Sequence, residues 1–127
     1  MLLYELLKYV DSASGGALGV EGTSLFIGLA PSDAQSASIF VQQGGERRDY
    51  APGLRRLSFQ VFTRDPDIQA AEARASGIAD VLTLRAAAVG PYHVYECNPR
   101  HEPLFLGRED SGLYTFVINY AANWRAA

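Results

Sequence analysis

Three side chains in this sequence could build a nucleophile–base pair: Cys97, His93 and His101. A thiol attacks only as thiolate, so it needs an imidazole within hydrogen-bond reach. His93 and Cys97 stand four residues apart in a stretch that reads as a strand. That spacing turns them to the same side but sets them roughly 13 Å apart at 3.3 Å per residue. His101 could fold back, yet a lone cysteine on a strand is more often a small core residue. The reading is therefore no thiol catalysis. Glu96, Glu102, Glu109 and Asp110 supply carboxylates near one end of the sheet. No second ligand type is spaced beside them, so solvated turns describe them better than a hard-metal site. There is no P-loop, Rossmann glycine fingerprint, nucleophile elbow or zinc pair. Gly15, Gly16 and Gly19 do not follow a strand and read as a flexible loop rather than a phosphate cradle. Neither an enzymatic activity nor a cofactor or metal is expected.

The sharpest feature is instead a cluster of four arginines, Arg47, Arg48, Arg55 and Arg56, around Tyr50 and Pro52. Arginine and tyrosine are favoured at protein interfaces. The same residues could touch nucleic-acid phosphate, but Glu46 and Asp49 interrupt the cluster and argue against a phosphate groove. A solvated loop is the plain alternative to an interface.

Charge points the same way. Eleven basic and fourteen acidic residues leave a net charge of −3, whereas a surface that grips duplex DNA is usually strongly basic. One cysteine excludes an internal disulfide. The apolar run Met1–Val10 carries Glu5 and Lys8 and lacks a basic leader, so a signal peptide is not expected. No stretch approaches the roughly 20 apolar residues of a membrane span. A cytoplasmic chain, or one built into something assembled there, is the expectation.

The elements that must carry these residues can be read from periodicity. Leu2, Leu3, Leu6, Leu7 and Val10 recur at helical spacing, and the glycines from Ser12 to Gly22 end that helix. Leu25–Ile27 and Ile39–Val41 read as short strands, and Gly44–Gly53 as an exposed loop. Leu57, Phe59 and Val61 alternate with polar residues, the period of a half-buried strand. Asp65 then reads as an N-cap and Pro66 as the first residue of a helix running to about Arg85, roughly 29 Å long. Its apolar face is Ile68, Ala71, Ala75, Ile78 and Leu82. Strands follow at Tyr92–Cys97, Leu104–Leu106 and Leu113–Ala121, the last with Tyr114, Phe116, Ile118 and Tyr120 on one face. The fold class predicted is α+β: a single domain over residues 1–127, with one mixed, mostly antiparallel sheet and two helices. Two helices cover only one side of such a sheet. The other, half-apolar side must be solvated or meet a partner.

This order of features resembles the small tail-terminator family of long-tailed bacteriophages, whose members are often labelled minor capsid proteins. The likeness is carried by Leu25-Phe26-Ile27-Gly28, by "SIFVQQGGERRDY", by "FQVFTRDPDIQAAEARASGIADVL" and by "GLYTFVINYAANW". It covers most of the chain; its most specific part is Arg64, Asp65, Asp67 and the alanine-rich helix. The resemblance implies a virion protein assembled in the host bacterial cytoplasm. It implies a hexameric ring of identical subunits that caps the tail-tube protein and presents a surface to the head–tail connector or neck protein. No membrane is implied, and DNA enters only as cargo passing through the ring, whose lumen, if negative, would repel phosphate. Arg47, Arg48, Tyr50, Arg55 and Arg56 are then expected at a subunit or tube interface, with Glu109 and Asp110 of another copy as acceptors. A head-completion or neck protein at the portal side is the rival within the class. A small non-catalytic cytoplasmic binding module is the rival outside it.

Overall fold

The computed structural model describes residues 1–44 and 53–126. Helix α1 spans Leu2–Ser14 and buries Leu2, Leu3, Leu6, Leu7 and Val10, the stripe its periodicity predicts. It ends at Gly15, whose φ of 63° is the left-handed turn that glycine tolerates best, while Gly16 N–H bonds back to the Asp11 carbonyl. Strands β1 (Leu25–Ile27), β2 (Ala37–Gln42) and β3 (Arg55–Asp65) lead to helix α2 (Ile68–Val81). Strands β4 (Leu84–Val89), β5 (Tyr92–Pro99), β6 (Leu104–Arg108) and β7 (Tyr114–Ala126) complete the chain.

The seven strands form one open sheet in the order β1-β2-β3-β7-β5-β4, with β6 pairing β7 beside the end of β5. Only β1 and β2 run parallel. The long hairpin-like pair β3–β7 is the centre, in unbroken register from Arg55↔Trp124 to Asp65↔Tyr114. Its period of two sends Leu57, Phe59, Val61, Phe116, Ile118, Tyr120 and Ala122 to one face, where all are buried. Both helices pack on that face and share its core. Phe40, Phe59 and Tyr120 stack across three strands, with ring centroids 6.3 and 4.9 Å apart.

Three sequence expectations need correction here. The long helix ends at Val81 rather than near Arg85, so it is about 21 Å long. Leu82 is its C-cap, and Arg85 lies in β4, a strand whose alanines mimic a helix in composition. The helix is capped by Asp67, whose carboxylate accepts from Gln69 N–H at 2.9 Å. Asp65 instead closes β3 and braces the strand–helix junction. It accepts from Asp67 N–H (2.8 Å), the Ser36 hydroxyl (2.7 Å) and the Arg74 guanidinium (2.8 Å). Ile68, at the helix start, is exposed rather than part of the core.

Candidate interaction surface

Among the described residues, no helix covers the second face of the sheet. Along β3 it presents Arg56, Ser58, Gln60, Phe62 and Arg64; along β7, Thr115, Val117, Asn119, Ala121 and Asn123. Register adds Ile39 and Val41 from β2 and Leu104 from β6. These residues sort into two halves. Ile39, Val41, Phe62, Val117 and Leu104 make an apolar half toward the β6 end. Leu106 extends it, lining a groove of about 310 Å³ with Phe62, Gly107, Arg108, Glu109 and Thr115. The other half is amide-rich. The Oδ1 atoms of Asn119 and Asn123 are buried there without a hydrogen-bond donor among the described residues, an arrangement a folded chain seldom leaves unanswered. A sheet face half covered by aliphatic and aromatic side chains is chemically suited to contact another protein surface.

Arg47, Arg48 and Tyr50 lie outside the described residues. Arg55 and Arg56 belong to β3 rather than to the loop before it, so they face opposite sides of the sheet. Arg55 lies over the Trp124 ring at 5.8 Å, on the helix side. Arg56 pairs with Asn123 on the bare face. Glu109 and Asp110 occupy the turn between β6 and β7, at the other end of the sheet. From Asn123 to Tyr114 the distance along β7 is nine residues, about 30 Å. Within one chain, Arg56 therefore cannot meet Glu109 or Asp110. Glu109 is held in place by the hydroxyls of Thr115 (3.2 Å) and Ser111 (3.3 Å).

The thiol–imidazole geometry also differs from its sequence reading. A bulge at Tyr95 shifts the register between Val94 and Glu96. One inserted residue reverses every later side chain. His93 thus opposes Arg125 on the bare face, while Cys97 opposes Ala122 in the core. Burial first, and then the nearby Glu96 carboxylate, push the Cys97 thiol up to about 12. A thiol so protonated is a packing residue, not a nucleophile. His101 completes backbone hydrogen bonding where β5 gives way to β6. Its Nε2 accepts from Asn119 N–H at 3.1 Å, and Nδ1 donates to the Glu102 carbonyl at 2.7 Å. Those two bonds together fix the neutral tautomer that carries the proton on Nδ1.

Sequence reasoning missed the exposure of Leu104, Phe105 and Leu106. Three successive apolar residues predict a buried strand, but β6 lies at a sheet edge and all three remain about half exposed. Their adjacency to Pro103 and Gly107, both unsuited to a central strand, was the available signal.

No curated protein matches the chain. Among solved structures, a chain from the virion of a native gene transfer agent particle shares the fold with a TM-score of 0.63 at 12% identity. The alignment covers 98% of this chain and 92% of that one. The family model described as bacteriophage tail terminator protein matches residues 9–124, which include all of α2 and the whole β3–β7 pairing but only the end of α1. The chain belongs to the bacteriophage tail terminator family and is a structural protein of a phage-like particle.

Proposed function

We propose that this protein ends the growth of the tail tube by closing over it as a ring of six identical subunits, and that the ring then receives the head–tail connector. Membership of the tail terminator family supports the reading. The observation that carries it is the bare sheet face, with Ile39, Val41 and Phe62 only half buried and no element of the described residues above them. A monomer would leave that apolar area in water; a heterologous contact that closes by rotation covers it in every copy. The separation of Arg56 from Glu109 and Asp110 favours the same geometry. A cluster at one end of a subunit can reach the opposite cluster only on a neighbour. In this reading Arg47, Arg48, Tyr50 and Arg55 join Arg56 at the subunit or tube contact. DNA passes through the ring without being gripped.

The test is direct. Purified protein is mixed with tubes polymerised from the tail-tube protein of the same particle and imaged by electron microscopy. The expected result is ring density on one tube end and no further elongation when tube protein is added. Tubes that keep growing, with the protein free in solution, contradict the proposal.

A further inference from the structure

Strand β6 pairs β7 along one side, and no other strand of the described residues pairs its second side. Leu104, Phe105 and Leu106 are 54%, 47% and 53% exposed there, on an edge whose backbone is open. Such edges recruit another strand. The sequence around this one is complementary to itself when read antiparallel. Centred on Phe105, a second copy sets Leu104 against Leu106, Phe105 against Phe105, and Glu102 against Arg108. We propose that β6 is a self-recognition strand, through which two copies of this protein pair edge to edge about a twofold axis.

The side-chain directions agree with that register. Leu104 opposes Val117 on the bare face, and Leu106 lines the groove with Phe62 and Thr115 on the same face. Glu102 lines a cleft with Ser76 and Asp80 of α2, and Arg108 lies 5.9 Å over the Tyr114 ring. Both charges therefore stand on the helix side, where they would meet. Neither belongs to an ion pair within the described residues, Lys8–Glu5 and Arg74–Asp65 being the pairs formed. Phe105 already touches Phe116, with centroids 5.2 Å apart, so the twofold would join two aromatic clusters. Pro103 on one side and the bulge before Gly107 on the other keep the ladder short. An isologous contact of this kind closes at two copies instead of growing into a fibre. Because Leu104 and Leu106 also belong to the bare face, the twofold pair is a form of the free chain that competes with the ring contact.

The experiment is sedimentation equilibrium on the full chain, over a range of concentration, with Glu102→Arg, Arg108→Glu and the double exchange. In a twofold contact each single change turns both ion pairs repulsive, so pairing should weaken about tenfold. The double exchange restores both pairs and should return the affinity. Leu106→Asp should abolish pairing while the thermal midpoint stays near wild type. A wild-type chain that stays monomeric at its highest soluble concentration overturns the proposal. So does association that ignores the single changes or fails to recover in the double. Rings that form in every variant, with no pairing of the free chain, overturn β6 pairing while leaving the ring reading intact.

Discussion

Leu82 shows how a residue's role can be legible before its element is. It was expected on the buried face of a long helix; it caps the helix instead, yet is fully buried beside Ile78. Leu82→Ala should lower stability by about 2–5 kcal/mol, read from the denaturant midpoint. Cys97 is the opposite case. Its burial was anticipated, but its side was not, because a one-residue bulge leaves no mark in composition. The buried thiol gives a pH prediction. Its pKa rises from 9.0 in the unfolded reference to about 12 in the fold. The folded state thus holds its proton more tightly, and the associated stability is complete below pH 9 and lost as pH climbs toward 12. Tyr120, raised by burial first and then by Cys97 and Asp80, adds to the same alkaline loss. Melting curves from pH 8 to about 11 should show a falling midpoint, and Cys97→Ser should flatten the fall without abolishing it.

At the scale of elements, patterns with one strong face were readable. The stripe of α1 and the alternation of β3 and β7 predicted their cores correctly, because burial on one side imposes a period that sequence must carry. The β4 strand was not readable. Leu84 to Val89 is rich in alanine, a helix former, and becomes a strand only because Gly90 turns it back along β5. The start of α2 was displaced by two residues for a related reason. Asp65 and Asp67 both suit a cap, and only the three-dimensional position of Ser36 and Arg74 assigns Asp65 to the junction. Burial raises the Asp65 pKa, but the Asp67 N–H, Ser36 and Arg74 together outweigh it and hold the carboxyl below its ordinary range. Asp67→Ala removes the cap itself and should cost about 1 kcal/mol, whereas Asp65→Asn should cost about 1–3 kcal/mol through weakened charge-assisted bonds. Thermal or denaturant unfolding of the two variants gives the order directly.

For the molecule as a whole, the one-sided sheet was deducible from the sequence, since two helices cannot cover both faces. The division of the open face into apolar and amide halves was not, because it depends on which strands become neighbours. The same holds for Arg55 and Arg56, which the strand register sends to opposite faces. If the remaining arginines bridge subunits, replacing Arg47 and Arg48 together with Glu should leave the thermal midpoint within about 1 kcal/mol of wild type while assembly becomes salt-sensitive or fails. Normal assembly at every salt concentration would assign them to a solvated loop.

The central claim is that the bare sheet face is where this subunit is assembled, and tail length reads it most directly. Val41→Glu and Phe62→Glu place charge on the half-buried apolar positions of that face without touching the helix-side core. Particles are produced with each variant in place of the wild type, and the lengths of their tails are measured by electron microscopy. The account predicts folded variants whose tails lose their uniform length and extend beyond it, without heads attached. Tails of normal, uniform length joined to heads in both variants would contradict it.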